Sequence, residues 1–174
     1  YSRPGMAERT LVIKSFSKSH AMTGWRVGYC YGPSMFIRQM LKVVNYTTAC
    51  ASSISQRAAI AALDLDPKVI EQMKNRFANR IEIVCSRLSK MKGIKVNKPK
   101  GSFYVLADIS EITQQSQKFS NRLLQDAKVV VIPGHAFGRA GEGTVRIACT
   151  HSSCILTEAM DRMELFLETH QSSD

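Results

Sequence analysis

The stretch SFSKSHAMTGWRVGY, residues 15–29, decides how the rest of the chain is interpreted. Ser15 and Ser17 precede a lysine at position 18, and an arginine follows eight positions later at position 26. Gly24 lies between the two cations, and glycine permits the tight turn that brings separated side chains together. A solvated surface would explain one of these charges, but it does not explain this order of hydroxyls, amine, turn and guanidinium.

Two apolar, β-branched runs flank this segment, TLVIKSFS at 10–17 and WRVGYCYG at 25–32. Runs of this kind predict strands, and we expect both strands to be buried. Lys18 then lies where a strand ends, and open α/β sheets bind their ligands in the loops at strand ends.

The chemistry of the segment follows from its side chains. A lysine held in such a loop near a cation can act as a nucleophile towards a carbonyl group. Arg26 offers that cation, and its planar fork can also hold a phosphate, with the hydroxyls of Ser15 and Ser17 as neutral donors. The segment therefore predicts a site for a phosphorylated aldehyde such as pyridoxal phosphate. On spacing alone, two ordinary surface charges on a hairpin remain the alternative.

Three helices are predicted next, at residues 33–48, at 52–64 and from Asp66 to about Met91. In the third, apolar residues recur every three or four positions over about 25 residues, and Gly93 stops it. A helix of this length often bridges two packed units, so we place a domain boundary inside it, near residue 85. Beyond it strands and helices alternate, which predicts a small α/β layer.

The net charge of +10 is unevenly distributed. Residues 1–100 carry 18 Lys and Arg against 5 Asp and Glu, which gives +13, whereas residues 101–174 carry 6 against 9, which gives −3. No aromatic residues interleave with the basic ones to stack bases, so a solvated basic helix face explains the excess and no nucleic-acid partner is expected.

Five cysteines, an odd number at scattered spacings, favour a reducing compartment over a disulfide framework. Cys149, His151 and Cys154 form only part of a metal pattern, and no metal is expected. No apolar run approaches the roughly 20 residues that cross a bilayer. No targeting signal is visible before the first predicted strand, so we expect a cytoplasmic protein, with an organellar location left open because the chain starts at Tyr1.

The segment at 15–29 closely resembles the cofactor-lysine signature of the class I and II aminotransferases, which are pyridoxal-phosphate enzymes of fold type I. In that signature, serine, any residue, serine and lysine are followed by a glycine and then by arginine, any residue, glycine and tyrosine. Further blocks resemble the same family in the same order: PGMAERT, YGP, SSISQRAAIAAL, PKGSFYVLADIS, VVVIPGHAFG and GTVRIACTHS.

The resemblance implies a role for each matching residue. Lys18 matches the lysine that bonds covalently to pyridoxal 5'-phosphate and acts as general base and acid. Ser15, Ser17 and Arg26 match the groups that bind the cofactor phosphate. Arg146, in VRIAC, matches the arginine that receives the substrate α-carboxylate, and a bidentate fork is the natural partner of that group. The substrates implied are an amino acid and a 2-oxo acid, and the enzyme implied is a homodimer.

Two further segments and two histidines are weaker candidates for the site. The resemblance places residues 101–104 where the small domain approaches the active site and residues 133–137 in a loop near the substrate. His135 and His151 could neighbour the same cleft, although a surface or structural role is the more common one for a histidine.

Several groups that the family uses are missing from the 17 residues before Lys18. These groups are an aspartate for the pyridine nitrogen, a tyrosine and an asparagine for the ring oxygen, and a ring-stacking aromatic. We therefore expect an α/β fold that is the C-terminal part of a fold type I transferase. Residues 1–85 would be the end of the large domain with the linking helix, and residues 86–174 the small domain. Such a chain is expected to be inactive alone.

Two other functions stay open. One is a lyase or synthase of the same fold that cleaves carbon–sulfur bonds, which product analysis would separate from transamination. The other is a transcription regulator with an aminotransferase-like sensor domain, which requires a winged helix upstream.

Overall fold

The computed structural model describes residues 1–171 and divides into two compact units, Tyr1–Glu71 and Gln72–Asp174. The division lies inside a long helix, earlier along it than residue 85. The reason is that Ile81, Val84 and Leu88 of this helix are buried in the core of the second unit. The assignment of residues 1–85 and 86–174 to a large and a small domain stays a prediction.

The first unit begins with an antiparallel strand pair, β1 (Val12–Ser15) and β2 (Gly28–Tyr31). Between them lie a four-residue helix, α1 (Phe16–Ser19), and a 3-10 turn at Thr23–Trp25. The two strands lie where the sequence predicts them but are mostly exposed rather than buried, with Ile13 70% exposed. The physical reason is that the pair forms a sheet of only two strands within the described residues.

Two further helices belong to the first unit, α2 (Ser34–Thr47) and α3 (Ser53–Leu63). Pro33 precedes α2, and its carbonyl accepts hydrogen bonds from the first turn. None of the residues of α2 is buried, whereas Ala59 and Ala62 of α3 are. The small core of the unit consists of five residues: Phe16, Met22, Val27, Ala59 and Ala62.

The long helix, α4 (Pro67–Leu88), has 22 residues and ends slightly before the predicted limit. The second unit then contains β3 (Lys95–Val96), β4 (Tyr104–Asp108), α5 (Ser116–Ala127), β5 (Ile132–Pro133), β6 (Thr144–Ala148) and α6 (Ser153–Gln171). Its four strands form an antiparallel sheet in the order β3-β4-β6-β5.

The core of the second unit packs the sheet against its helices. Val105, Val145 and Ile147 from the sheet meet Leu123 of α5 and Met163 of α6, all of them buried. Arg87 of α4 also pairs with two carboxylates of α6, Asp161 at 2.5 Å and Glu164 at 2.7 Å. Val145 and Ile147 flank Arg146 on β6, so the strand that carries Arg146 is anchored in this core.

Among residues 1–171, no helix combines the length and the apolar character needed to cross a bilayer.

Candidate functional site

Lys18 lies in a rigid turn at the end of β1. The Oγ of Ser15, the last residue of the strand, accepts a hydrogen bond from the backbone N–H of Ser17 at 3.2 Å, which starts α1. Phe16, the first residue of α1, is buried, and its N–H donates to the carbonyl of Val27 at 3.3 Å. Lys18 is exposed on this turn, so the described residues do not shield its amine from water.

Arg26 adopts the left-handed backbone conformation, with φ of 52° and ψ of 46°. For a residue other than glycine this conformation costs roughly 1 kcal/mol or more, and it occurs mostly where function or surrounding contacts demand it. One such contact is visible: the Nη1 of Arg26 donates to the carbonyl of Thr23 at 2.9 Å. The backbone and the side chain of Arg26 are thus both held in place.

Thr23 connects the arginine to the serine–lysine turn. While its carbonyl accepts from Arg26, its Oγ1 donates to the carbonyl of Ser17 at 3.1 Å. The structure therefore brings Ser15, Ser17, Lys18 and Arg26 together in one hydrogen-bonded segment. Thr23 is not among the site residues predicted from sequence, although a small polar residue beside a glycine in a turn is a recognisable signal.

The electrostatics of this segment favour an anion. Between positions 10 and 63 the sequence contains six Lys and Arg and no Asp or Glu. A guanidinium has five N–H donors in a planar fork, and Arg26 spends one Nη1 donor on Thr23. Hydroxyls, an amine and a guanidinium in a positive field are the donors that a phosphate requires, so the residues present fit a phosphorylated cofactor.

Arg146 lies at the centre of the second unit's sheet, on β6. Its neighbours across the strands are Leu106 on β4 and Ile132 on β5. The guanidinium carbon lies 4.1 Å from the ring centre of Tyr104 and 4.7 Å from that of Phe137. Both distances are within the range of cation–π attraction. The structure thus brings Arg146 together with both segments that the resemblance placed near the substrate, 101–104 and 133–137.

The loop that carries Phe137 is held by a close backbone crossing. A Cβ atom on Gly134 would lie 1.9 Å from the carbonyl oxygen of Gly141, so only glycine fits there. His135 is exposed and contacts the buried Ser116, whose Oγ lies 3.5 Å from its Nδ1. Glu142 also contacts Ser116, because its carboxylate accepts a hydrogen bond from the Ser116 N–H at 2.7 Å. That bond, with help from the Ser116 hydroxyl, lowers the pKa of the Glu142 carboxyl.

A cavity of about 520 Å³ in the second unit reaches Arg146. Tyr104, Ile132 and His151 also line it. His151 therefore lines the same cavity as Arg146, whereas His135 lies in the loop of Phe137 and contacts Ser116 of α5.

The partial metal pattern does not form a site. Within residues 1–171, no group of three or more potential metal ligands is present. Cys149 is fully buried, and its burial raises the pKa of the thiol to about 11. Cys149 is one of the buried residues that form the core of the second unit.

Comparison with known proteins identifies the class. The family model described as aminotransferase class I and II matches residues 2–163, and the chain belongs to that family. Members of the family generally depend on pyridoxal phosphate. The family prediction made from residues 15–29 is thereby confirmed.

Two curated relatives illustrate the similarity. The chain is 48% identical over 163 residues to an aspartate aminotransferase of Pyrococcus horikoshii, covering 92% of this chain and 42% of the relative. It is 41% identical over 169 residues to aromatic-amino-acid aminotransferase 2 of Thermococcus litoralis, covering 96% and 43%. The chain therefore spans less than half the length of these relatives.

Solved structures agree. The aromatic aminotransferase of Pyrococcus horikoshii superposes with a TM-score of 0.93 at 42% identity, covering 98% of this chain and 46% of that one. The aspartate aminotransferase of Rhizobium meliloti gives a TM-score of 0.90 at 33% identity, covering 95% and 44%. The predicted fold class, part of a fold type I transferase, is confirmed.

Proposed function

We propose that the intact protein containing this chain transfers an amino group between an amino acid and a 2-oxo acid, with pyridoxal 5'-phosphate as cofactor. Family membership and the aminotransferase names of the relatives support this function over the lyase and regulator alternatives. When bound, the cofactor supplies the electron sink that makes the α-proton of an amino acid removable. The protein's part is to bind, orient and move protons.

Arg26, Ser15 and Ser17 are the proposed phosphate-binding residues. The observation that carries the proposal is the hydrogen-bonded path from Ser17 through Thr23 to Arg26, which holds a strained arginine beside the lysine turn. Holding the guanidinium before the ligand arrives reduces the entropy lost on binding. The phosphate contacts would thereby fix the position of the aldehyde relative to Lys18.

Lys18 is the proposed catalytic residue. Its Nζ would hold the cofactor at the aldehyde carbon and, as a free amine, would accept the proton of the substrate α-carbon. The hydrogen bonds made by Ser15 and Phe16 hold the backbone from which the Lys18 side chain extends, which favours a defined position for its amine.

Arg146 is the proposed ligand of the substrate α-carboxylate. Its guanidinium is already held between Tyr104 and Phe137, and its Nε is buried without a hydrogen-bond partner. A guanidinium oriented in advance can bind a carboxylate with two parallel hydrogen bonds.

The relatives are more than twice as long as this chain, so we propose that the complete active site needs further polypeptide and a second subunit of a homodimer. The 174-residue chain alone is then expected to show no turnover. Measurement of transamination by the purified chain tests this point, and turnover at a rate typical of aminotransferases would contradict it.

Covalent labelling tests the proposed role of Lys18 without requiring turnover. The chain is incubated with pyridoxal 5'-phosphate, reduced with borohydride and digested, and the labelled lysine is identified by mass spectrometry. We expect the label at Lys18, its loss in Lys18→Arg, and its retention in Lys14→Arg. Lys14 is a suitable control because it is an exposed lysine only four residues away, on β1. Label spread equally over surface lysines would refute the proposal.

A further inference from the structure

The guanidinium of Arg146 lies in a continuous row of neighbouring aromatic rings and guanidinium groups in the second unit. Successive neighbours in the row lie between 4.1 and 5.7 Å apart, measured to ring centres. In order, the members are Phe137, Arg146, Tyr104, Phe103, Phe77 and Arg80.

The far end of the row is fixed to the rest of the unit. Phe103 lies 4.4 Å from Tyr104, and Phe77 of α4 lies 5.7 Å from Phe103. Arg80, over the ring of Phe77 at 5.4 Å, donates from Nη1 to the carbonyl of Thr150 at 3.1 Å. Tyr104 therefore has a packed ring behind it and cannot easily swing away from Arg146.

The near end is fixed by backbone. Phe137 is 53% exposed, so burial alone does not hold its ring in one position. Its loop, however, is held by the crossing of Gly134 and Gly141, where a single added Cβ would clash. The second ring is thus placed over Arg146 by main-chain geometry rather than by burial.

One edge of the Arg146 guanidinium is closed to solvent. The Nε atom is buried and has no hydrogen-bond partner. A buried N–H without a partner is costly, and native structures rarely keep one without a reason. Closure of the Nε edge leaves the terminal pair of nitrogens as the edge that a ligand can reach.

We propose that Tyr104 and Phe137 are positioning residues that clamp Arg146, so that it presents its two terminal nitrogens end-on to a carboxylate. The clamp itself rests only on the geometry of the second unit. The identity of its ligand, the carboxylate of an amino acid or a 2-oxo acid, rests on the proposed function. Phe103 and Phe77 support the clamp through Tyr104.

Nuclear magnetic resonance of the arginine side chains tests the clamp in the 174-residue chain. The Nε–H signal of Arg146 is assigned by its loss in Arg146→Lys. Because Nε is sealed from solvent, we expect its proton to exchange with water slowly in the wild-type chain, in contrast to the signal of the half-exposed Arg162. Phe137→Leu and Tyr104→Leu are expected to accelerate this exchange by about tenfold or more.

Conservative variants and a control separate positioning from folding. Tyr104→Phe and Phe137→Tyr keep a ring over the guanidinium, so slow exchange is expected in both. Tyr29→Leu removes an exposed, stacked tyrosine from the first unit and should leave the Arg146 signal unchanged. Exchange that is equally slow in the wild type and in both leucine variants would overturn the clamp. Equally fast exchange in all of these chains would overturn it as well.

A titration with pyruvate, a small 2-oxo acid, tests the ligand separately. We expect pyruvate to shift the Arg146 signals, with about tenfold weaker binding in Tyr104→Leu, equivalent to about 1.4 kcal/mol. If exchange responds to the variants but pyruvate shifts nothing, the clamp stands and the proposed role of Arg146 in carboxylate binding fails. If pyruvate binds equally well to Tyr104→Leu and the wild type, the positioning role is refuted while the carboxylate role stands.

Discussion

Thr23→Val is the substitution that probes the proposed cofactor site most specifically. Valine keeps the shape of threonine but removes the hydroxyl that donates to the carbonyl of Ser17. A hydrogen bond of this kind contributes roughly 0.5–1.5 kcal/mol, and the position is exposed, so we use the lower half of that range. The affinity for pyridoxal 5'-phosphate should then fall by about two- to fivefold, since about 1.36 kcal/mol corresponds to a factor of ten.

The assay is the concentration of pyridoxal 5'-phosphate that gives half-maximal borohydride labelling of Lys18. Pyridoxal without phosphate provides the internal comparison, because the path from Ser17 through Thr23 to Arg26 is proposed to act by placing the guanidinium at the phosphate. Its labelling curve should be the same in Thr23→Val and the wild type.

A matched control is available in α2. Thr47 also donates from its Oγ1 to a backbone carbonyl, that of Val43 at 2.9 Å, and it is exposed. Thr47→Val should leave both labelling curves unchanged. An equal loss of labelling by pyridoxal and by its phosphate in Thr23→Val would refute the reasoning, because the effect would then not pass through the phosphate.

Two further predictions concern stability. Gly28→Ala places a Cβ 2.5 Å from the backbone carbonyl oxygen of Lys14. It should therefore lower the free energy of unfolding, measured by urea titration, by about 1–3 kcal/mol. Gly24→Ala is the control and should be tolerated, because the space around Gly24 is open. Glu142 has a lowered pKa because it accepts hydrogen bonds from Ser116. Its contribution to the free energy of unfolding is therefore complete above the unfolded-state pKa of 4.5, and it is lost as pH falls through the lower pKa of the folded state. The urea midpoint should fall between pH 5 and pH 3 in the wild type, and Glu142→Gln should reduce that dependence; an undiminished dependence would contradict the assignment.

The cofactor segment could be interpreted from sequence because its groups are local. Ser15, Ser17, Lys18 and Arg26 lie on one strand–turn–strand unit, so their order along the chain nearly determines their proximity. Thr23 and the left-handed backbone of Arg26 could not be obtained in the same way. They depend on hydrogen-bond geometry inside the turn, which the residue pattern does not specify.

The clamp on Arg146 shows the opposite case. Tyr104 and Phe137 come from different segments, and they meet Arg146 only through the register of β4 with β6 and the crossing of two glycines. Strand register between segments far apart in sequence is set by tertiary packing, so the sequence predicted both segments near the substrate but not the contact between them.

The burial of β1 and β2 was the main error in the predicted fold. An apolar, β-branched run is typical of a buried strand, but burial also requires something to pack against it. In this chain the two strands pair only with each other among the described residues. The pattern therefore identified the strands and their position, although it could not report how much of their surface is covered.

The central claim is that the amine of Lys18 and the guanidinium of Arg26 bind the two ends of one phosphorylated aldehyde. Phosphorus resonance of the chain labelled at Lys18 and reduced with borohydride tests this claim directly. A phosphate monoester ordinarily loses its second proton, and so becomes a dianion, near a pKa of about 6. If Arg26 contacts the phosphate, it stabilises the dianion and lowers that pKa, and Arg26→Gln should restore the ordinary value. A phosphate that titrates near 6 in both chains would contradict the claim.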